Sequence, residues 1–361
     1  MVLIFDPWAK DVEHLEFNKN FLKIVQKDNI VLYVGESLQV EKLKKEIVDV
    51  DYYKIEVNKI VKNKFYRIRN LLNDFKNCWF CFKVAKNNKI KKIYVTTAFP
   101  EIIIFTKILF RNYKVEYIMH GYLKNIKLEF NIFKLNTYLR KVLKIFNNGK
   151  SYIVLGECIQ KNLLKIMPEL RGKVKSINHP YSLKTKKIKK KSEEKIKMGT
   201  VGVGAKEKNS HYLFELEAFL KREQISNIEL YHIGKITENI IPTESKVNIP
   251  SRTQMLSENR FNEYVNDLDY ILYFYPKDNY SLVASGAIFD AVFRYKKIIG
   301  INNEYFNEVF IKTKNIAFLC NDLEEIKSRI LKISKEPNSE VNYEEYQKII
   351  MKYSVENISL S

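Results

Sequence analysis

The stretch Met198-Gly199-Thr200-Val201-Gly202-Val203-Gly204-Ala205-Lys206-Glu207-Lys208-Asn209-Ser210 runs from a β-branched strand through glycines toward a helical segment at 210–223. A strand that turns on glycine into a helix is the opening unit of a doubly wound α/β sheet. From Met198 onward the rhythm continues. Strands are expected at Ile228–Ile233, Lys246–Ile249, Tyr270–Tyr275, Lys297–Ile301 and Ile316–Cys320, with helices near 257–266, 284–294 and 322–335. A last helix is expected near 342–356. Upstream the same rhythm has already run once. Continuous apolar runs at Val2–Phe5, Ile30–Val34, Tyr53–Val57, Ile93–Thr97, Val115–Met119, Tyr152–Leu155 and Val174–Ile177 read as parallel strands covered on both faces. Helical segments near 13–26, 38–46, 62–87, 100–110, 132–146 and 157–166 separate them. The expected fold is α/β, two doubly wound Rossmann-like domains facing across a cleft. The expected division is 1–181, a basic linker at 182–197, 198–340, and a terminal helical stretch at 341–361 that packs back on the first domain.

Length and composition agree. The chain has 361 residues, 46% of them hydrophobic, so a sizeable core is within reach and global disorder is excluded. No apolar run approaches the roughly 18–20 residues of a membrane span; Ile102–Phe110 is broken by Lys107. Met1 leads into Val2-Leu3-Ile4-Phe5 with no basic n-region, so no signal peptide is expected and the reading is cytoplasmic. Cys78 and Cys81 have redox or zinc spacing but no second Cys/His pair at finger-like distance, and read as buried core.

The net charge of +20 is unevenly placed. Residues 1–180 carry +17, residues 181–197 carry +6, and residues 198–361 carry −3. Charge confined to one half points to a surface facing something anionic rather than to nucleic acid, for which no recognised motif is present. Between Lys62 and Lys92 ten basic residues and one acid, Asp74, alternate with aromatics such as Phe65, Phe75 and Trp79. The segment reads either as a core-facing helix with a solvated charged side or as a helix suited to an anionic membrane.

Several turns carry candidate chemistry. Gly202 and Gly204 would let the backbone approach a phosphate, with Lys206 or Lys208 adding charge. Tyr275-Pro276-Lys277-Asp278-Asn279-Tyr280 leads to Ser285-Gly286, an N-cap pair with amides open to an anion, and Asp290 stands one turn further on. After the first strand, Asp6-Pro7-Trp8-Ala9-Lys10-Asp11-Val12-Glu13-His14 offers His14 as a general base near neutrality, with Asp11 orienting it or serving as the base. Asp267-Leu268-Asp269 has the Asp-x-Asp spelling of metal-using transferases but leads directly into a strand, so its carboxylates read as strand-flanking and no metal is expected.

The second half resembles the donor-sugar domain of GT-B glycosyltransferases, especially those building bacterial surface polysaccharides of the capsule, O-antigen and exopolysaccharide type. Ser285-Gly286 followed by Asp290-Ala291-Val292-Phe293 and the strand Lys297-Ile298-Ile299-Gly300 carries the likeness, with Tyr295-Lys296-Lys297 in place of the usual Gly-x-Pro turn. In the first half, Tyr117-Ile118-Met119-His120-Gly121 and Val174-Lys175-Ser176-Ile177-Asn178-His179-Pro180 are similar to strand ends of the acceptor domain. The resemblance implies a glycosyltransferase that moves a sugar from a nucleotide donor, UDP-linked, to a lipid-linked glycan acceptor in surface-polysaccharide biosynthesis. It implies no cofactor, and donor contacts from Gly202, Gly204, Lys206, Lys208, Tyr280, Ser285, Gly286 and Asp290. His120 and Gly121 would meet the acceptor, and His14 with Asp11 would be catalytic. It further implies a peripheral protein held at the inner leaflet by its basic half. The common form of this group has two glutamates eight residues apart; Asp290 stands near the second and Leu282 at the first, so an inverting course is expected ahead of a retaining one. A nucleotide-sugar epimerase of the same architecture is the alternative, and a basic nucleic-acid-binding protein a more distant one.

Overall fold

The computed structural model describes residues 1–10, 13–57, 66–131, 134–182, 195–236, 240–254, 256–337 and 341–360. Asp11 and most of the expected linker lie outside these described residues. The chain divides into two compact units: Met1–Ser182 with Leu282–Ala284 and the stretch from Tyr353 onward, and the remainder.

In the first unit β1 (Val2–Phe5), α1 (Leu15–Gln26), β2 (Val31–Glu36), α2 (Ser37–Lys44) and β3 (Val50–Ile55) are followed by α3 (Tyr66–Asn87), β4 (Lys92–Val95) and α4 (Pro100–Leu109). β5 (Lys114–Met119), α5 (Leu139–Lys144), β6 (Lys150–Val154), α6 (Glu157–Ile166) and β7 (Val174–Ser176) complete it. Among the described residues its seven strands lie in the order β3-β2-β1-β4-β5-β6-β7, all parallel. Every residue of β1 and β2 is buried, as two-sided cover requires. Strand order reverses between β1 and β4, where Val2 stands beside both Val31 and Lys92. A crevice at the carboxyl ends of β1 and β4 is therefore where such a sheet binds ligands. α1 turns Phe17, Phe21, Leu22 and Val25 onto the sheet. α2 starts on the Glu36 carboxylate, which accepts the Leu38 and Gln39 amides at 3.0 and 3.1 Å. The helix expected at 132–146 resolves into a 3-10 turn, Leu135–Tyr138, and the short α5.

Of the terminal stretch expected to pack back on this unit, only the part from Tyr353 onward does so, as a strap; the helix Tyr343–Tyr353 falls almost wholly in the second unit. Tyr181 pairs with Ser354, and Val355 and Ile358 enter the core beside α1. The Lys27 ammonium donates to the carbonyls of Val355 and Glu356 at 2.7 and 2.8 Å, and Lys175 to that of Leu360 at 2.9 Å.

The second unit runs β8 (Ile196–Val201), α7 (Tyr212–Arg222), β9 (Ile228–Ile233), α8 (Glu258–Asp267), β10 (Tyr270–Tyr273) and α9 (Ala287–Val292). It continues with β11 (Lys297–Ile301), α10 (Glu304–Phe310), β12 (Ala317–Cys320), α11 (Leu323–Lys335) and α12 (Tyr343–Tyr353). Its described strands are ordered β12-β11-β10-β8-β9, again parallel, with the reversal between β8 and β10. The strand expected at Lys246–Ile249 is only a single bridge, Asn248 to Tyr231, because the chain touches the sheet edge at one point and leaves. α10 was not expected; Asn303 caps it through the Phe306 amide at 2.9 Å. The fold is two doubly wound α/β units, as the sequence reading held.

Candidate active site

In the first unit the loops after β1, β4, β5 and β7 converge at the carboxyl edge of the sheet. Asp6, fully buried at the end of β1, begins the construction. Its Oδ1 accepts the amides of Trp8 and Ala9 at 3.1 and 2.9 Å, and its Oδ2 accepts from Asn18 Nδ2 at 2.5 Å. Asn18 also reaches Gln39, whose amide nitrogen donates to the Glu13 carbonyl at 2.5 Å. This buried chain of polar groups holds the turn after β1 at Trp8, Ala9 and Glu13. At its end His14 takes a left-handed backbone, φ 55°, and opens α1 without a side-chain cap. A non-glycine residue in that region carries strain that its surroundings must hold.

The strained backbone places His14 in a cluster. Its ring lies edge-on to that of His120, centroids 4.8 Å apart, and the Phe17 ring meets His120 at 4.3 Å and His179 at 5.6 Å. Three histidines from three loops are thus linked in one cluster, His14 through His120, and His120 and His179 through Phe17. Burial, then the neighbouring His14 and His179, hold His120 well below the usual imidazole range. Its ring hydrogen-bonds the Thr96 carbonyl, and its Nε2 is shut off from solvent with no partner. A neutral imidazole that donates through one nitrogen keeps a lone pair on the other, which suits it to accept a hydrogen bond from a hydroxyl. Burial also lowers His179, to about 4. The sequence reading brought His14 and His120 into the site; it missed Asp6, Asn18 and Gln39. An acid at the end of a buried strand is the available signal for Asp6, and nothing local marks the other two.

In the second unit the predicted donor residues fall into two groups. The first follows β8. The amides of Gly202 and Gly204 donate to Ile233 and Lys235 carbonyls at 2.9 Å each. They prolong the pairing of β8 with β9 and are not open to a phosphate, which corrects the cradle expected of them. The glycines answer a steric demand instead. A Cβ on Gly204 would stand 2.9 Å from the His232 ring, and one on Gly234 would fall 2.0 Å from the Gly202 carbonyl oxygen. Lys206 and Lys208 lie on a 3-10 turn rather than a helix start. The Lys208 ammonium turns back to the Val203 carbonyl at 3.1 Å, and burial lowers its pKa. Lys206 is exposed. His232 is buried and pairs with the Thr200 hydroxyl at 2.8 Å, a structural role.

The second group follows β10 and centres on a residue the sequence reading did not single out, Tyr275. Its ring stacks on that of Tyr280 at 4.3 Å, nearly parallel at 9°. The hydroxyls of Ser285 and Tyr280 hydrogen-bond its hydroxyl, and burial pushes its pKa up to about 12. Ser285 is buried and caps no helix through its side chain; the residue flanking α9 is Gly286, in right-handed helical geometry. The N-cap expected of Ser285 is therefore corrected: Tyr275 holds its hydroxyl. Asp290 lies on α9 and pairs with Arg294 at 2.8 Å, while Arg294 also donates to Asn262 at 2.6 Å. Tyr280, Ser285 and Asp290 are thus one cluster around Tyr275. The Asp-x-Asp pair is engaged elsewhere. Asp269 accepts the Lys197 amide at 2.9 Å and Asp267 the Lys197 ammonium at 2.5 Å, which stitches β8 to the start of β10. Among the described residues no group of three His, Cys, Asp or Glu could hold a metal ion.

Two parallel doubly wound units in one chain, each with side chains gathered at its switch point, define a two-domain α/β architecture, and solved structures give it a name. A UDP and glucose complex of HepE from Anabaena covers 98% of this chain and 95% of its own, with a TM-score of 0.65 at 11% identity. A glycosyltransferase from Rickettsia africae covers 99% and 95%, with a TM-score of 0.67 at 15% identity. Sucrose-phosphate synthase from Thermosynechococcus elongatus covers 99% and 96%, with a TM-score of 0.66 at 10% identity. No protein-family model matches the chain, and no curated protein matches it in sequence. The chain has the GT-B fold, and its resemblance to these proteins is one of fold.

Proposed function

We propose that this chain is a glycosyltransferase that moves a sugar from a nucleoside diphosphate, with uridine as the base, to a glycan acceptor. The observation that carries the reading is the full-length GT-B likeness, which includes a neighbour solved with UDP, together with a polar cluster at the switch point of each unit. Fold alone does not name a reaction, so the roles are argued from the residues.

The second unit binds the donor, around Tyr275, Tyr280, Ser285 and Asp290, with Lys206 as the exposed cation near the β8 turn. The first unit binds the acceptor. His14 removes the proton from the attacking hydroxyl, and His120, held neutral, accepts a hydrogen bond from the acceptor through Nε2. That Nε2 is closed to solvent in the structure, so the acceptor would reach it only with a shift of the surrounding side chains. The course is inverting, since one base and one leaving diphosphate are all it needs. No metal is invoked, because the Asp-x-Asp carboxylates are already tied to Lys197. A lipid-linked acceptor of a cell-surface polysaccharide is the substrate we favour, which would place the protein at the cytoplasmic face of the membrane. The epimerase alternative calls for carboxylates at the donor, and Asp290, the one carboxylate in that cluster, is paired with Arg294.

A panel of UDP-, GDP-, ADP- and dTDP-sugars, read by thermal stabilisation and then by product formation, tests the reading. Donor-specific stabilisation and transfer to a glycan are expected. Interconversion of the sugar without acceptor would make the protein an epimerase, and no nucleotide binding at all would end the proposal.

A further inference from the structure

Helix α3 presents its faces in the opposite sense from an ordinary surface helix. The side against the first unit is built from Asn77, Cys78, Cys81, Val84 and Ala85, small or polar residues. Phe82 packs inward on Phe110 and Tyr113, and Phe75 touches Phe105 of α4 at 5.3 Å, but several large apolar residues keep much of their surface facing out. Ile68 is 60% exposed, Leu72 64%, Phe75 44% and Trp79 43%. These four stand at i, i+4, i+7 and i+11, so they form one stripe along the helix. Arg69, Lys76 and Lys83 are exposed beside the stripe, and the Lys83 ammonium sits 5.9 Å from the Trp79 ring centre. The single acid of the helix, Asp74, is half-buried on another side. On α4, which packs against α3, Ile108 is 56% exposed.

We propose that α3 seats the protein on an anionic phospholipid bilayer, with Ile68, Leu72, Phe75 and Trp79 entering the boundary between headgroups and acyl chains and Arg69, Lys76 and Lys83 meeting the lipid phosphates. The charge pattern selects this occupant. A helix lying in the interface needs an apolar stripe flanked by cations and free of exposed acids. A second copy of the chain would meet the stripe about a two-fold axis and set the same cations against one another. No described helix is long and apolar enough to cross a membrane, so the contact is peripheral. The proposal stands apart from glycosyl transfer, since it concerns a surface and not the donor or acceptor groups.

The test is flotation of the full chain with vesicles of phosphatidylcholine, with and without phosphatidylglycerol, at physiological salt. Binding roughly tenfold tighter to the anionic vesicles is expected, with a blue shift of tryptophan emission that Trp79→Phe removes. The double variant Ile68→Gln/Leu72→Gln should lose most binding to either vesicle, and Lys76→Gln/Lys83→Gln should lose the anionic preference. All of these side chains are exposed, so unchanged melting curves are expected and separate loss of binding from loss of fold. Equal binding to both vesicles, or wild-type binding by the double variants, would overturn the proposal. So would a concentration-dependent dimer that Ile68→Gln/Leu72→Gln dissolves, because a second copy would then be the occupant.

Discussion

In the proposed reaction His14 is the base of the first unit, standing at the end of the turn after β1 with its ring against that of His120. The Asp6–Asn18–Gln39 network holds the turn, and Phe17 and His120 hold the ring. His14→Ala should therefore lower kcat by a factor of about 10²–10⁴, the usual contribution of a general base, with the affinity for UDP unchanged. Steady-state kinetics beside UDP titration calorimetry read the two separately. Loss of UDP affinity would remove His14 from the acceptor side of the proposal. In the second unit Tyr275→Phe keeps the stacked ring and removes the hydroxyl that Ser285 and Tyr280 both meet. Donor binding should weaken about tenfold, since a buried hydrogen-bonded group loses its partner. An unchanged dissociation constant for UDP would show that the cluster only supports the fold.

At the scale of single elements, α3 and α4 share a half-buried acid pair. Burial, and then the carboxylate of Glu101 at the start of α4, raise Asp74 from 3.8 to about 7. The folded chain thus binds this proton more tightly than the unfolded chain. The resulting cost is absent below about pH 4, grows as pH rises through the interval, and is complete above about pH 7. Asp74→Asn should stabilise the protein by roughly 2 kcal/mol at pH 8, allowing for residual exposure, and by almost nothing at pH 4. Urea unfolding at the two pH values checks this, and an equal effect at both would mean that the carboxyl is not shifted.

The end of α5 depends on a different buried charge. Lys107, 1% exposed, donates from α4 to the carbonyls of Val142 and Ile145, to Asn147 and to the Tyr152 hydroxyl, at 2.7–2.8 Å. Burial, with Lys150 and Lys173 nearby, brings it down to about 7. Lys107→Met keeps the stem but orphans these acceptors, and should cost on the order of 3 kcal/mol by denaturant unfolding at pH 6.5. The sequence reading used Lys107 only as the break in an apolar run. Its partners come from residues more than thirty positions away, and no local pattern encodes them.

For the molecule as a whole, the strap from Tyr353 makes the first unit discontinuous in sequence. Val355 and Ile358 fill its core, and Lys27 and Lys175 hold the strap through its carbonyls. Ile358, 6% exposed, should on replacement by Ala cost about 2–4 kcal/mol, as a buried large-to-small change does. A tryptophan reporter at Trp8, in the first unit, should then unfold earlier in denaturant. If it did not, the strap would not contribute to that unit's stability.

The amino-acid sequence by itself determined the alternation of strands and helices, the two parallel sheets and their turns. Those features follow from local runs: β-branched stretches buried on both faces, helical spacing between them, and glycines where one chain must pass close to another. It also marked His14, His120 and the Ser285–Asp290 region, because strand-end turns are where a doubly wound sheet gathers ligand groups. Only the tertiary structure decided which atoms are already engaged. It showed the Gly202 and Gly204 amides prolonging a sheet, the Ser285 hydroxyl on Tyr275, and Asp290 on Arg294. It also decided which side of α3 faces water. Spacing reveals that a helix has two faces; only packing against α4 and the sheet reveals which of them is covered.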